Sequence, residues 1–515
     1  MFPPKWIVSR IASGVHFNAP VLRDAALCSF VMLVSAGLGT WSFDPIIWND
    51  SAAYIESALR SLSEGRIVQI QGVSPGYPLV IAFALNSGIG LEGLVAAQHI
   101  AWWLCVGFIS LVLLKMCRRV QIVPLLPVVA AACIGGYPGI QNYSNIIYPE
   151  MFYTVAVTTC LCFYVLALLS QSEAAALASC IFAILFGAVA ATLKHQGLGP
   201  FVVILTGVLL LDLGVRRRRM VFASTVACAT FALTAIMMQL PDKAGDRSTR
   251  LFGAKTLFCF HLNVIVASEV AEAMIEAQLG SNAQEFRRHL RSSIDSKSGS
   301  FPTLGYYADA CQFDSAMDDL GLASLGGVDE LSRFYREVLT SALLDRPAVY
   351  TAKVAKQLFY GFVMAIPPHA LGKAISGVSE RREVVVQRIQ SAGYGLEDRI
   401  EFDNVVDAPI IATLSDALFV FAYRVVSVAV GFSIVVALLL WFISRQLRTG
   451  LGSIAAVCGF VWLSQIGGIA LTHTLDIWRY IVPVVPAGAI CAFALWLNIA
   501  TGRSALLRLF RGATR

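Results

Sequence analysis

The chain has 515 residues, of which 57% are apolar and only 14% are charged. Soluble domains carry about a quarter charged residues, so this composition excludes an ordinary soluble protein and indicates a polytopic membrane protein. The net charge of +6 does not indicate a nucleic-acid partner. Most basic residues lie at the ends of apolar runs, where positive charge sets membrane topology.

Apolar runs long enough to cross a bilayer predict about ten transmembrane helices. They are Ala25–Trp41, Val95–Met116, Val123–Gly136, Tyr153–Leu169, Ala175–Leu193, Leu198–Leu213, Val221–Met238, Ala417–Ile443, Ile454–Leu471 and Ile481–Ile499. Lys5, Arg10 and Arg23 precede the first span, and no small-residue cleavage site follows it, so we interpret it as a retained anchor. The sixth span ends in Arg216 to Arg219. Placing every basic cluster inside makes both termini cytoplasmic and leaves residues 241–413 outside.

This pattern divides the chain into three parts. Residues 1–240 form an N-terminal membrane module that contains the first external loop, 43–94. Residues 241–413 form an external, mostly helical region, and residues 414–515 form the C-terminal transmembrane helices and a basic cytoplasmic tail. Residues 349–366, within the external region, are apolar but contain lysines. We predict that they form an interfacial or re-entrant segment, with a true span as the alternative.

The chain contains twelve cysteines, of which only Cys259 and Cys311 fall clearly in the external region. A disulfide between these two in an oxidising compartment is one interpretation, and two free thiols is the other. The remaining cysteines lie mostly in or beside spans, where cysteine acts as a small apolar residue. No group of His and Cys residues has metal-ligand spacing.

The first external loop combines an acidic residue with a predicted amphipathic helix. Asp50 precedes residues 51–64, in which Ala52, Ile55 and Leu59 share one face. Asp is a favoured N-cap, so helix capping is one role for Asp50. The following apolar stretch, Tyr77 to Leu85, is too short to span and is expected to lie along the surface. A carboxylate at this level would suit the base of an enzyme that acts on a lipid-linked substrate.

Four motifs follow one another on the predicted outer side. They are Asp50-Ser51-Ala52-Ala53-Tyr54 with Pro75-Gly76-Tyr77-Pro78, Tyr148-Pro149-Glu150-Met151-Phe152, Lys194-His195, and Arg479-Tyr480 with Pro483 and Pro486. In this order they resemble the GT-C superfamily of integral-membrane glycosyltransferases, which use sugars carried on polyprenyl phosphate. Protein O-mannosyltransferases and lipid A aminoarabinose transferases belong to it. The resemblance covers Ala25 to Leu213 and the C-terminal spans.

The resemblance implies an all-α polytopic GT-C-like fold and a glycosyltransferase that acts on the extracytoplasmic face of a bacterial inner membrane. It implies that Asp50 is the catalytic base and that Glu150 is a second catalytic residue, which orients the site or the acceptor. Arg479, Lys194 and His195 would hold the donor phosphate. The competing interpretations are a helix-start carboxylate for Glu150 and interfacial anchoring for the cations.

The predicted substrate-binding residues are Tyr54, Tyr77, Tyr480 and Asp476. Members of the family differ in their need for a divalent metal, so Mg²⁺ or Mn²⁺ stays an open cofactor and no residue is assigned to it. The implied partners are a polyprenyl-phosphate sugar donor, the bilayer, and a glycan, lipid or protein acceptor. Nucleic acid is not among them.

Three alternatives compete with this prediction. A polyprenyl-linked glycan polymerase or ligase would place key residues in a large loop between late spans, which the external region provides. A transporter or flippase would carry ionisable residues at mid-span or broken helices in paired repeats. The predicted spans are almost free of mid-span charge, and no repeat is visible. A non-catalytic scaffold would not explain why Asp50, Lys194 and Arg479 fall on one surface.

Overall fold

The structure is a computed structural model. It describes residues 19–38, 43, 45–47, 51–70, 73–122, 124–212, 230, 247–295, 304–306, 308–366, 416–443, 450–473 and 478–512. In these residues the chain is helical. Their β-structure is limited to an isolated parallel bridge between Ile46 and Ile146. The predicted all-α class is therefore confirmed for the described part of the chain.

The N-terminal helices are α1 (Ala19–Leu38), α2 (Ser51–Glu64), α3 (Gly76–Asn86), α4 (Gly90–Arg119), α5 (Leu125–Gly135), α6 (Pro138–Gln141), α7 (Glu150–Leu169), α8 (Glu173–Leu193) and α9 (Leu198–Asp212). Then follow α10 (Arg247–Cys259), α11 (Leu262–Val266), α12 (Glu269–Leu279), α13 (Ala283–Asp295), α14 (Ala308–Gln312), α15 (Ser315–Leu325), α16 (Val328–Asp345) and α17 (Pro347–Val363). The C-terminal helices are α18 (Asp416–Ile443), α19 (Leu451–Thr472) and α20 (Val485–Gly512). Single 3₁₀ turns occur at Asn142–Ser144, His195–Gly197, Gly280–Asn282, Trp478–Tyr480 and Val482–Val484.

Six described helical segments are long and apolar enough to cross a membrane, which makes the chain an integral membrane protein. They are Gly90–Arg119, Glu150–Leu169, Glu173–Leu193, Phe421–Ile443, Leu451–Thr472 and Val482–Thr501. These correspond to the second, fourth, fifth, eighth, ninth and tenth predicted spans. The first predicted span overlaps α1, and the third and sixth contain α5 and α9. The seventh, Val221 to Met238, lies outside the described residues except for Thr230, so the total of about ten stays a prediction.

The membrane helices pack as antiparallel neighbours around one apolar core. Chain-adjacent helices pair, α7 with α8 and α19 with α20, and α4 packs on both α1 and α7. An ion pair between Asp24 and Arg118 joins the start of α1 to the end of α4. The start of α7, the end of α8 and the turn before α20 meet at the opposite end of the bundle. By the distribution of basic residues, we expect this second end to face outside.

The helices α10 to α16 surround a second apolar core of their own. Phe258, Phe286, Phe334 and Tyr335 are buried in it. A disulfide joins Cys259 at the end of α10 to Cys311 in α14, with the two Cα atoms 5.6 Å apart. The structure thus decides between the two interpretations of these cysteines in favour of the disulfide. The three-part division of the whole chain stays a prediction, since residues 367–415 lie outside the described residues.

The helix α17 is the last described helix of the external region. It enters the bundle and packs against α18 and α19. The carbonyl of Phe362 lies so close to Gly431, near the middle of α18, that a side chain larger than hydrogen would not fit there. The hydroxyl of Ser427 donates to the carbonyl of Val363 at 2.9 Å and accepts from the amide of Ile366 at 2.8 Å. These bonds satisfy backbone groups that a helix end exposes inside a bundle. Because residues 367–415 lie outside the described residues, the choice between a re-entrant segment and a true span stays a prediction.

Candidate active site

Glu150 is the first residue of α7, directly after Pro149, and it lies at the end of the bundle opposite to Arg118. A carboxylate is favoured at a helix N-terminus because the backbone amides there carry partial positive charge. Glu150 is only 2% exposed. Its Oε1 lies 2.8 Å from Nζ of Lys194 and 3.9 Å from Nε of Arg479. A buried carboxylate is stable only with such partners, and Lys194 and Arg479 supply them.

Lys194 follows the last residue of α8, where extended backbone ends the helix. A cation is favoured at this point because helix carbonyls carry partial negative charge. The next turn, His195–Gly197, folds back so closely that a Cβ on Gly197 would lie 2.5 Å from the carbonyl oxygen of Ala190. This fold directs Lys194 inward, where it is 8% exposed, and leaves His195 exposed.

Arg479 and Tyr480 share one 3₁₀ turn before α20. Nη2 of Arg479 donates to the hydroxyl of Tyr480 at 3.2 Å, and its guanidinium carbon lies 5.0 Å from the centre of that ring. Nζ of Lys194 lies 4.9 Å from the same centre. Tyr480 therefore lies between the two cations and faces both with its ring electrons.

The charges of the three described residues Glu150, Lys194 and Arg479 do not cancel. Lys194 and Arg479 carry two positive charges against the single negative charge of Glu150. Oε2 of Glu150 is buried and has no hydrogen-bond partner among the residues that the structure describes. The arrangement can attract an anion through its excess positive charge, and it can accept a hydrogen bond from a bound hydroxyl group.

Two tyrosines that were not predicted as site residues line this cluster. The ring centre of Tyr148 lies 5.5 Å from the guanidinium carbon of Arg479. Tyr143 is 4% exposed, and burial, followed by the negative charge of Glu150, raises its pKa. Its phenol therefore stays protonated. The sequence contained a signal for Tyr148, which opens the motif around Glu150. Tyr143 had none.

Tyr54 and Tyr77 form an aromatic wall beside Tyr148. The ring of Tyr54 meets those of Tyr77 and Tyr148 edge-on, at 5.5 Å and 6.1 Å between centres. Tyr77 is fully buried, and its hydroxyl donates to Oε1 of Gln98 at 3.1 Å. Burial raises the pKa of Tyr77 and keeps its phenol neutral. Because Tyr77 is enclosed, it supports the wall in this structure, and its contact with substrate stays a prediction. Tyr54 is half-buried and stays a candidate.

Gln98 ties the first external loop to the segment before α7, a role that the sequence did not reveal. Its Nε2 donates to the carbonyl of Ser144 at 2.8 Å and to that of Ile146 at 3.3 Å. The backbone of Ile46 pairs with the same segment, donating to the carbonyl of Asn145 at 2.8 Å. The only available signal was an amide side chain inside the apolar run of α4.

Two acidic residues that were predicted as site residues, Asp50 and Asp476, lie outside the described residues. The structure brings Glu150, Lys194, Arg479 and Tyr480 together, and it leaves the roles of Asp50 and Asp476 as predictions. Among the described residues, no group of three or more His, Cys, Asp or Glu side chains could hold a metal ion. Because that search did not include Asp50, Mg²⁺ or Mn²⁺ stays an open question.

Comparisons with known proteins add a similarity of overall shape. No family model matches the chain, and a search of the curated proteins found no match. Among solved structures, the chain is similar to the oligosaccharyltransferase of Archaeoglobus fulgidus in complex with zinc and sulfate. The identity is 12% and the TM-score is 0.36, over 94% of this chain and 51% of that one. The chain thus spans about half of the length of that protein.

The chain is also similar to ArnT of Cupriavidus metallidurans bound to undecaprenyl phosphate, at 13% identity and a TM-score of 0.30. This match covers 94% of this chain and 78% of that one. The apo state of the same protein gives 14% identity and a TM-score of 0.29. Both similar proteins are GT-C glycosyltransferases, the superfamily that the motifs resemble. At these TM-scores the likeness carries no further conclusion about this chain.

Proposed function

We propose that the chain is a membrane glycosyltransferase that moves a sugar from a polyprenyl-phosphate donor to an acceptor hydroxyl on the extracytoplasmic face. The observation that carries the proposal is the cluster of Glu150, Lys194 and Arg479 at one end of the membrane helices, in which two cations lie beside one carboxylate. A polyprenyl chain stays in the bilayer, so the bond to its phosphate must be broken at the headgroup level, where we expect this cluster to lie.

The reaction would transfer the sugar from the phosphate oxygen of the donor to the acceptor oxygen. The acceptor oxygen attacks the anomeric carbon of the sugar, and the bond between that carbon and the phosphate oxygen breaks. The phosphate leaves with the bonding electron pair and gains negative charge, which Arg479 and Lys194 stabilise. A carboxylate takes the proton of the acceptor hydroxyl, and we assign this role to Asp50. Glu150, already paired with Lys194, holds the two cations in place.

An apolar groove supports a lipid-linked donor. It has a volume of about 780 Å³ and lies among α4, α5, α18 and α20. Its lining includes Tyr137 and Val485, which stand next to α6 and at the start of α20 on the side of the cluster. Almost all of the lining is apolar, which suits a hydrocarbon chain and does not suit a sugar.

The experiment that tests the function compares cells with and without the protein by mass spectrometry of lipid-linked sugars and surface glycans. A transferase predicts that a polyprenyl-phosphate sugar accumulates and that one surface sugar is missing. Accumulation of complete repeat units would instead indicate a polymerase or ligase. If neither pool changes, and purified protein transfers no sugar from a polyprenyl-phosphate donor, the proposed function is wrong.

A further inference from the structure

The junction between α10 and α11 is fixed inside the external region on both sides of Phe260 and His261. The disulfide to Cys311 holds Cys259. The hydroxyl of Tyr306 donates to the carbonyl of Cys259 at 3.0 Å and accepts from the amide of Leu262 at 3.1 Å. The two residues between these anchors are therefore held in a defined position, and both contact the end of α19.

The last carbonyl groups of α19 are capped by side chains of the external region, two of which belong to α17. Nε2 of His261 lies 3.1 Å from the carbonyl oxygen of Leu471, which also accepts from the hydroxyl of Tyr350 at 3.0 Å. Nζ of Lys353 donates to the carbonyl of His473 at 3.2 Å. Helix C-terminal carbonyls lack partners in their own helix and favour cations. Lys353 is 4% exposed, so this cap is part of the interior.

His473 connects these contacts to the candidate active site. The ring of Phe260 packs on the ring of His473, with 3.8 Å between centres. Nε2 of His473 lies 3.3 Å from the hydroxyl of Tyr480. Because that hydroxyl accepts from Arg479, its own hydrogen is available to Nε2. A continuous series of contacts thus runs from Lys353 and Phe260 through His473 and Tyr480 to Arg479.

We propose that Lys353 and His473 are positioning residues that let the external region hold Arg479 in the geometry needed for the donor phosphate. The inference rests on the proposed function, since it assumes that Arg479 binds that phosphate. Neither residue contacts the phosphate in this scheme. Lys353 fixes the end of α19, and His473 fixes Tyr480 against the guanidinium. Losing either side chain should weaken phosphate binding. The fold and the ion pair between Lys194 and Glu150 should stay intact.

The test measures the dissociation constant of undecaprenyl phosphate for the full chain in nanodiscs. Lys353→Met keeps the aliphatic stem and removes the charge, and His473→Phe keeps the ring and removes the nitrogens. Each should weaken binding about tenfold, the scale of one hydrogen bond to a charged group. Lys353→Arg should restore much of the affinity. The matched control is Lys356→Met, on the same helix but exposed, which should bind like the wild type.

A second arm separates positioning from general destabilisation. In an Arg479→Gln background, Lys353→Met should cause no further loss, because the group that it positions is already gone. Losses that add in the double variant, or wild-type affinity in both Lys353→Met and His473→Phe, would overturn the positioning role. The single variant Arg479→Gln distinguishes failure of the positioning role from failure of the proposed function. If Arg479→Gln binds undecaprenyl phosphate like the wild type, the phosphate site itself is wrong.

Discussion

At the scale of single residues, the two cations of the site differ in how they are held. Lys194 forms an ion pair with Glu150 at 2.8 Å, and Arg479 lies against the rings of Tyr148 and Tyr480. A planar guanidinium can bind two phosphate oxygens at once, whereas an ammonium acts as a point charge. This difference assigns the larger share of phosphate binding to Arg479.

Exchange of the two cations tests this assignment. Arg479→Lys keeps the charge but loses the planar fork, and we expect the KM for the polyprenyl-phosphate sugar to rise about tenfold. Lys194→Arg, the matched control, keeps a cation next to Glu150 and should have the smaller effect. Both variants should express. The measurement is the initial rate against donor concentration with purified protein. If Arg479→Lys uses donor like the wild type and only acceptor kinetics change, Arg479 does not bind the phosphate.

Removing the charge of Asp50 tests the catalytic base. Asp50→Asn keeps the size and much of the capping ability of the side chain, so the protein should fold and insert. Transfer should fall by about 10²–10⁴-fold, the usual contribution of general base catalysis. Asp44→Asn, a change of the same kind in the same loop, is the control and should retain most of the activity. Near-normal transfer by Asp50→Asn would show that Asp50 caps the helix and is not the catalytic base.

At the scale of elements, the contact between the external region and α19 depends on a neutral histidine. Burial, and then the nearby charge of Lys353, lowers the pKa of His261 to about 4 from 6.5. Nζ of Lys353 lies 3.0 Å from Nδ1 of His261, so that nitrogen must stay unprotonated to accept from the ammonium. The other ring nitrogen then carries the hydrogen that is donated to the carbonyl of Leu471.

This contact should make the stability of the external region depend on pH. Because the folded-state pKa is lower than the unfolded one, the contribution of His261 is complete above about pH 6.5 and is lost as the pH falls towards 4. The loss amounts to on the order of 2–3 kcal/mol. Hydrogen exchange of α16 and α17, measured between pH 7.5 and 4.5, should show this decline. In His261→Gln the pH dependence should shrink; an unchanged pH dependence would contradict the assignment.

The elements also show what local sequence patterns could predict. The helix α2 after Asp50, with its amphipathic character, and the short apolar helix α3 follow from periodicity and length. The end of α17 inside the bundle does not, because it depends on Gly431 and Ser427, which come from a distant helix. The contact of His261 with the end of α19 likewise joins residues far apart in the chain. No local sequence pattern predicts contacts between residues so far apart in the chain.

At the scale of the whole molecule, the candidate site and the external region lie at the same end of the bundle. The external region contacts α19 at Leu471 and His473, and the arginines of α4 lie at the other end. The membrane orientation follows from charge alone and stays a prediction. If it is correct, the site and the disulfide both face the oxidising side of a bacterial inner membrane.

Accessibility labelling tests this orientation. Ala277→Cys places a thiol on the exposed surface of α12, and Gln171→Cys places one in the exposed turn between α7 and α8. A thiol reagent that does not cross the membrane should label the first in intact cells and the second only after lysis. The wild-type chain is the control, and most of the free cysteines that the structure describes are buried. Labelling of both positions in intact cells would contradict the proposed topology.

The sequence by itself determined the membrane class, the position of most spans and the set of polar residues at their ends. Hydropathy and charge act locally, so these features can be read from short windows. Only the tertiary structure decided which of those residues meet. Glu150 pairs with Lys194, Tyr77 is enclosed against Gln98, and Cys259 reaches Cys311. These contacts depend on how helices pack, and packing is set by shape complementarity between segments that are distant in the chain.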